Sequence, residues 1–262
     1  MNIVVLASGS KGNATYIETP TTRVLIDAGI SHRQIVHRMR ERGLETARLD
    51  AVLITHEHGD HIRGLATVLK QTGATLYSAE ATWQHLVQTT LSDMAEVPTV
   101  FIESDHTFML GDLSITPLDV SHDAACTLGF IIEHAGRKLV YLTDVGFLPT
   151  SDYPKIAGAD AYVFEANYDV SLLFSSERPY YLKRRIDSVR GHMSNADSAY
   201  HLSKLVSDQT RTIVLVHPSE ECNTVHHALG TLHEVFASYD IPLSTRDVVV
   251  ATQHEPTKII RI

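Results

Sequence analysis

The sequence predicts a layered fold of the α+β (α/β layered) class, and three observations support this prediction. Short apolar runs rich in β-branched residues recur along the chain and alternate with amphipathic helical patterns. The 262 residues are 44% hydrophobic and 20% charged, which is enough to bury a large core. No repeat, low-complexity stretch or Pro/Gly/Ser-rich linker marks a boundary, so we expect a single domain over residues 1–262.

Predicted strands and helices follow one another in mixed order. The first residues, Met-Asn-Ile-Val-Val-Leu, lack a basic region and a cleavage-like site, which favours a first strand over a signal peptide. Strands are predicted at Ile3–Leu6, Ala14–Ile17, Val24–Ile26, Val52–Ile54, Leu113–Thr116, Gly129–Glu133, Leu139–Leu142, Tyr162–Phe164 and Ile213–Val216. Helices are predicted at Ser31–Arg42, His61–Gln71, Ala79–Leu91, Asn195–Ser207 and Val225–Tyr239. Two more strands, Val248–Ala251 and Ile259–Arg261, are expected to close the second sheet.

Composition narrows the classes of function. No apolar run reaches 18 residues, so neither a transmembrane helix nor a membrane partner is expected. Cys126 and Cys222 are the only cysteines, which argues against a disulfide framework and predicts a cytoplasmic location. The net charge of −9 ordinarily argues against nucleic-acid binding. Two bound divalent cations would offset about four of those charges, so the local charge distribution matters more than the sum.

The strongest functional signal is the segment Thr55-His56-Glu57-His58-Gly59-Asp60-His61. It directly follows the apolar run Val52–Ile54, which is typical of a buried strand. Side chains at i and i+2 of an extended segment point the same way, so His56 and His58 can reach one point. The glycine after them lets the backbone bend, so Asp60 and His61 can face a second point nearby. Imidazole and carboxylate groups in this spacing predict a metal site.

Three later residues repeat this pattern, in which a metal-binding side chain follows an apolar strand. His122 comes shortly after Leu113–Pro117, and Asp144 and His217 come directly after strands of their own. The ends of several strands at one edge of a sheet are where layered folds commonly assemble sites. We therefore expect these residues to join those of the segment 55–61.

The segment 55–61 resembles the signature of the metallo-β-lactamase superfamily. This resemblance implies a four-layer αββα sandwich with a site for two divalent metals at one edge of the paired sheets. The implied ligands are His56, His58 and His122 for the first metal, Asp60, His61 and His217 for the second, and Asp144 for both. A hydroxide between the metals would attack the substrate, and Asp60 would also orient it. Zinc is the first expectation, and manganese or iron would also suit the ligands.

Later segments resemble the phosphodiesterase branch of the superfamily, as in tRNase Z. In that branch a Glu after a strand orients a His before a helix, and Glu165 and His192 occupy these positions. Either Ser194 or Asn195 would cap the helix that follows. His192 is then expected to donate a hydrogen bond or a proton to a phosphate oxygen or the leaving group.

The whole chain looks closer still to the YycJ/WalJ (VicX) family, which is associated with metal-dependent exonuclease activity on DNA. Pro218 and Glu221–Asn223 depart slightly from the family pattern. The segments that carry the resemblance are Ser8–Asn13, Asp27–Gly29, Thr55–His61, Ser121–Ala124, Thr143–Asp144, Glu165–Asp169, Leu182–Ile186, Gly191–Asn195 and the segment that begins at His217.

Residues 178–190 independently favour a nucleic-acid partner, with DNA expected over RNA. Cations that neutralise phosphates alternate there with rings that can stack on bases. An ordinary solvated basic helix is the alternative, since Glu177 and Asp187 temper the charge. The candidate contacts are Arg178, Tyr180, Tyr181, Lys183, Arg184, Arg185 and Arg190.

Two other functions stay open. A small-molecule hydrolase of the same superfamily, acting on a lactone, thioester or cyclic phosphodiester, would need neither the basic segment nor the pair Glu165 and His192. A non-catalytic regulatory protein could keep a structural metal site, although the full set of ligands argues against it. The sequence does not predict the oligomeric state.

Overall fold

The computed structural model describes residues 1–46, 48–94 and 96–262, which form two compact units. The first unit comprises Met1–Asp119, Ala124–Leu128 and Thr252–Arg261. The second comprises Val120–Asp123 and Gly129–Ala251, together with Ile262. The single domain expected over residues 1–262 stays a prediction, and each unit is described by itself.

A mixed sheet forms the centre of the first unit. Its strands are β1 (Asn2–Ala7), β2 (Ala14–Glu18), β3 (Arg23–Ile26), β4 (Ala51–Leu53), β5 (Thr75–Ser78), β6 (Thr99–Phe101) and β14 (Ile260–Arg261). They lie in the order β14-β1-β2-β3-β4-β5-β6, with β3 to β6 parallel. Strand β4 is apolar throughout and fully buried, as expected for a parallel strand covered on both faces. The same unit holds the antiparallel hairpin of β7 (Phe108–Leu110) and β8 (Leu113–Asp119).

The helices of the first unit are α1 (His32–Glu41), α2 (Gly59–Ile62), α3 (Leu65–Thr72) and α4 (Glu80–Gln88). The single helix predicted over His61–Gln71 is wrong, because the chain turns at Gly64 between α2 and α3. A Cβ atom at Gly64 would lie 2.1 Å from the carbonyl oxygen of Ile30, so only glycine fits this turn. The turn makes α2 a separate short helix that carries Asp60 and His61.

A second sheet forms the centre of the second unit. Its strands there are β9 (Leu128–His134), β10 (Arg137–Leu142), β11 (Ala161–Glu165), β12 (Thr212–Val216) and β13 (Asp247–Val250). Strands β10 to β13 are parallel, and β9 runs antiparallel to β10. Because β10, β11 and β12 point the same way, the residues after their carboxyl ends share one edge of the sheet. Asp144, Glu165 and His217 lie at this edge.

The helices of the second unit are α5 (Tyr153–Ile156), α6 (Val170–Ser175), α7 (Tyr180–Ile186), α8 (Asn195–Leu205) and α9 (Val225–Ser238), and a 3-10 turn at Thr150–Asp152 leads into α5. Ser194 caps α8 by accepting a hydrogen bond from the backbone of Asp197, which confirms one of the two predicted caps. In the described ranges, none of the helices combines the length and the apolar character needed to cross a bilayer.

The predicted strands are confirmed with small changes of boundary. The assignment of Ile259–Arg261 to the second sheet is wrong, because β14 pairs with β1 in the first unit, with Ile3 opposite Ile260. Two paired residues are too few for a sequence pattern to select a partner. Strands β5, β6 and β7 were not predicted, since none of the three is buried throughout, whereas the equally short β4 is.

Candidate metal centre

The first unit holds the residues of the segment 55–61 in a tight cluster. His56 and His61 are fully buried, and their ring centroids lie 4.1 Å apart. The ring of His58, the residue before α2, lies 4.6 Å from the ring of His56. Asp60 Oδ2 lies 3.6 Å from His61 Nε2. The structure thus brings together all four metal-ligand candidates of this segment.

Asp27, directly after β3, orients His61 and Thr55 through hydrogen bonds. Its buried carboxylate lies 2.7 Å from His61 Nδ1 and accepts hydrogen bonds from the backbone and the hydroxyl of Thr55. The Thr55 hydroxyl lies 3.0 Å from His56 Nδ1. Burial raises the pKa of Asp27, and the adjacent His61 lowers it in part. With Nδ1 held in this way, Nε2 is the nitrogen of His61 that would coordinate a metal, an arrangement common in metal sites.

Asn13 and Gly29 fix the position of Asp60. The backbone N–H of Asn13 donates to the Asp60 carbonyl at 2.7 Å, and the Asn13 side chain lies 3.4 Å from Asp60 Oδ2. A Cβ atom at Gly29 would lie 1.6 Å from that same carbonyl oxygen. Only glycine therefore allows the chain to pass this close to the turn that carries Asp60.

The second unit holds a cluster of its own at the edge where β10, β11 and β12 end. Asp144, Glu165, His192 and His217 each offer a ligand atom, and these atoms lie within 4.8 Å of one another. His217 Nδ1 lies 3.2 Å from Asp144 Oδ1, and His192 Nδ1 lies 3.6 Å from it. Both Asp144 and His217 are in the left-handed region, with φ of 56° and 57°. Such conformations cost about 1–3 kcal/mol each outside glycine and cluster at functional sites.

Glu165 is the centre of this second cluster. Its Oε1 lies 2.9 Å from the Nδ1 atoms of both His192 and His217. Its Oε2 accepts backbone N–H groups of Val145 and Met193 at 2.7 and 3.1 Å. Burial acts to raise the pKa of Glu165, but the two histidines and their hydrogen bonds hold it below its ordinary value. The ionised carboxylate therefore orients two imidazole rings at once.

His122 approaches the same cluster from residues 120–123. Its Nδ1 lies 2.9 Å from the Gly191 carbonyl, and its Nε2 lies 3.8 Å from Asp144 and 3.5 Å from Asp123. Burial lowers the pKa of His122, although Asp144 opposes this effect. The neutral imidazole that results is the form that binds metals. The Arg190 guanidinium donates to the His122 carbonyl at 3.2 Å and so braces this segment.

The basic segment is less open than its sequence indicates. Tyr180 and Tyr181 are 70% and 75% exposed, and they can present their rings to a ligand. Lys183 is buried, and its ammonium donates to the carbonyls of Phe174 and Ser176. Its position is therefore accounted for by contacts within the protein. Three of the remaining cations are paired with carboxylates, Arg178 with Glu221, Arg184 with Asp187 and Arg185 with Asp123. The fourth, Arg190, is engaged with the His122 carbonyl. The nucleic-acid contacts of this segment stay a prediction.

The two clusters have the chemistry of a divalent-metal site. Imidazole nitrogens and carboxylate oxygens dominate both, and they are the donors that zinc, manganese and iron accept. His61, His122 and His217 each have Nδ1 held by an oxygen, which leaves Nε2 as the coordinating atom. The residues present therefore fit divalent metal ions.

Comparison with known proteins identifies the family. A family model described as a beta-lactamase superfamily domain matches residues 22–217. The exodeoxyribonuclease WalJ of Streptococcus pneumoniae serotype 2 is 36% identical over 238 residues, which cover 90% of this chain and 88% of WalJ. The exodeoxyribonuclease YycJ of Bacillus anthracis is 35% identical over 243 residues, which cover 90% of this chain and 89% of YycJ. The chain belongs to the YycJ/WalJ family of the metallo-β-lactamase superfamily.

A solved structure supports the fold of this YycJ/WalJ family member. The metallo-beta-lactamase fold protein YhfI from Bacillus subtilis superposes with a TM-score of 0.71 and covers 98% of both chains at 16% identity. The predicted fold class, a metallo-β-lactamase-type four-layer αββα sandwich, is thereby confirmed.

Sequence reasoning missed three supporting residues of this YycJ/WalJ family member. Asp27 lies 34 residues before His61, and Asn13 lies 47 residues before Asp60. Asn167 donates to the His217 carbonyl at 2.8 Å. Asp27 carries the one usable signal, because it follows an apolar strand as the ligand candidates do. The other two do not directly follow an apolar strand, although they lie in the segments Ser8–Asn13 and Glu165–Asp169 that carry the resemblance to the family.

Proposed function

We propose that this protein is a metal-dependent exodeoxyribonuclease that hydrolyses phosphodiester bonds of DNA. The observation that carries the proposal is the Glu165 carboxylate, which holds His192 and His217 by their Nδ1 atoms at 2.9 Å. A lactone or thioester hydrolase would not need the pair Glu165 and His192, whereas a phosphodiesterase uses an oriented imidazole such as His192 at the phosphate. The relatives WalJ and YycJ, both exodeoxyribonucleases, support DNA as the substrate over RNA.

The two clusters are proposed to act together on two divalent cations. His56, His58 and His122 would hold one cation, and Asp60, His61 and His217 the other, with Asp144 shared between them. The fit of these donors and the membership of the family support this assignment. Zinc is proposed first, with manganese and iron as the alternatives. When bound, the cations supply Lewis acidity and lower the pKa of water.

The chain's own residues would then orient the reactants. Asp60, fixed by Asn13 and Gly29, would aim the attacking water at phosphorus. His192, oriented by Glu165, would donate a hydrogen bond or a proton to a phosphate oxygen or to the leaving oxygen. General-acid assistance of this kind contributes roughly 10²–10⁴-fold to a rate.

On the substrate side, the exposed rings of Tyr180 and Tyr181 are proposed to stack on bases. Arg178 and Arg185 would reach phosphates by exchanging their partners Glu221 and Asp123 for the DNA backbone. We also propose a cytoplasmic location, which the two free thiols of the chain support.

The test is a cleavage assay on end-labelled substrates. Double-stranded DNA, single-stranded DNA and RNA of one sequence are incubated with the metal-loaded protein, with and without chelator. Stepwise loss of nucleotides from DNA ends, abolished by chelator and weaker on RNA, is expected. If no polymer is cleaved in a chelator-sensitive way, the nuclease function is excluded.

A further inference from the structure

The first unit contains a cavity of about 330 Å³ that the proposed mechanism does not use. Its wall comes from the turn between β1 and β2, the residues before α1 and the side of α1 that carries Arg38, the start of α3 and the chain before β14. The lining residues that matter here are Lys11, Ser31, Arg38, Arg63 and Gln253.

The charge of this cavity is positive. Lys11, Arg38 and Arg63 line it, and no carboxylate is among the described lining residues. Helix α1, which has ten residues, begins at the cavity with Ser31 as its cap, so the positive end of its dipole adds to the same field. In a chain of net charge −9, such a concentration of cations selects for an anion.

Arg38 is the decisive residue, because its guanidinium is a buried cation without an acidic partner. It is 7% exposed, and its Nη1 donates to the carbonyls of Leu6 and Gln253 at 2.7 and 3.0 Å. Among the described residues, no carboxylate lies within 4.0 Å of it. Burial lowers the pKa of Arg38, and Glu41 opposes this from a greater distance. Burying a charge is costly unless a counter-charge accompanies it, so an anion in the cavity would be favoured.

Arg63 and Lys11 form the open rim of the cavity. The Arg63 guanidinium donates to the Lys11 carbonyl at 3.0 Å, which places it beside the Lys11 backbone. Both side chains are exposed, so they can reach a ligand that enters from solvent. A guanidinium and an ammonium around one point suit a phosphate, because charge-assisted hydrogen bonds to its oxygens are strong.

Hydrogen bonds through residues 11–13 connect the cavity to the turn that carries Asp60. Gln253 accepts from the Lys11 backbone N–H and donates to the Gly12 carbonyl, both at 2.8 Å. The next residue, Asn13, donates to the Asp60 carbonyl at 2.7 Å. Arg63 is two residues beyond the ligand candidate His61. A group bound in the cavity would therefore be fixed relative to Asp60.

From this geometry we propose that the cavity binds a phosphate of the DNA strand away from the bond that is cleaved. The proposal rests on the proposed nuclease function and specifies how the enzyme would bind the DNA strand. One phosphate held by Arg38, Arg63 and Lys11 sets the register of the strand along the first unit. It would contribute to binding and leave the chemical step unchanged.

The test compares the double variant Lys11→Gln/Arg63→Gln with Arg40→Gln, which removes an exposed cation of α1 that does not line the cavity. Binding of a phosphorothioate-linked DNA duplex to the metal-loaded protein is measured between 50 and 200 mM salt. Loss of one phosphate contact should make the slope of log K against log salt shallower by about 0.9. The affinity should fall at least about ten-fold, and Arg40→Gln should match the wild type. Equal slopes and affinities for the double variant and Arg40→Gln would overturn the proposal.

Two further measurements distinguish a site for free phosphate from a site for DNA, and the failure of this site from the failure of the nuclease function. Calorimetric titration with inorganic phosphate tests for a free anion, and loss of that binding in the double variant with an unchanged DNA slope also contradicts the proposal. Cleavage by the wild type is assayed in parallel. If the wild type fails to cleave DNA but the slope for the double variant is still shallower by about 0.9, the nuclease function fails while the phosphate site stands.

Discussion

At the scale of single residues, one buried carboxylate determines how two imidazoles are presented. Glu165 has both oxygens engaged, one by His192 and His217 and the other by two backbone N–H groups. His192 belongs to the proposed chemistry alone, whereas His217 is a proposed metal ligand. Substitutions at His192 and at Glu165 should therefore have different signatures.

The variant His192→Ala should keep its metal content and lose most of its turnover. The expected decrease is roughly 10²–10⁴-fold, the usual contribution of a general acid. Metal analysis of the purified protein and single-turnover cleavage of labelled DNA measure the two quantities. Unchanged cleavage by this variant would remove His192 from the mechanism.

The variant Glu165→Gln should lower both the metal affinity and the turnover. The neutral amide cannot accept from both Nδ1–H groups as strongly as a carboxylate does, so His217 also loses its orientation. Loss of an outer partner of this kind typically costs 10–100-fold in metal affinity or activity. Metal affinity by competition with a chelating dye distinguishes this variant from His192→Ala, and unaltered affinity would show that Glu165 serves His192 alone.

At the scale of elements, glycines decide where the chain passes close to the site. Gly29 has no room for a Cβ atom, because the Asp60 carbonyl would lie 1.6 Å away. Gly230, inside α9, has open space around the same position. Replacement of glycine by alanine should therefore have opposite effects on stability at the two positions.

Gly29→Ala is expected to destabilise the fold and displace the turn of Asp60, with lower metal content. Gly230→Ala should instead raise the free energy of unfolding by about 0.5–1 kcal/mol, because alanine favours a helix interior. Thermal unfolding and metal analysis of both variants provide the check. A Gly29→Ala protein with wild-type stability and metal content would refute the close approach.

Local sequence explains most elements, and its failures have physical causes. The buried strands were predictable because their apolar runs are continuous, as in Val52–Ile54. The break of the helix after His61 was not, since it arises from contact of Gly64 with the distant Ile30 carbonyl. The partner of β14 was equally unpredictable, because pairing with β1 is a tertiary choice.

At the scale of the whole molecule, the clusters arise from residues that follow strand ends. This pattern allowed Asp144 and His217 to be predicted from sequence, since His217 directly follows an apolar run and Asp144 is separated from one by Thr143 alone. Asp27 and Asn13 support the same clusters, but their partners are 34 and 47 residues away, and sequence spacing does not report such contacts. Aspartate and histidine enter the left-handed region more often than most residues, but the sequence alone does not show that Asp144 and His217 adopt it.

The central claim is that two divalent cations, held by the two clusters, are required for cleavage of DNA. Its most direct test is titration of a divalent metal into metal-free protein while cleavage of an end-labelled duplex is followed. We predict no cleavage without metal and a rate that saturates at two equivalents per chain. Cleavage by the metal-free protein, or full activity at one equivalent, would contradict this account.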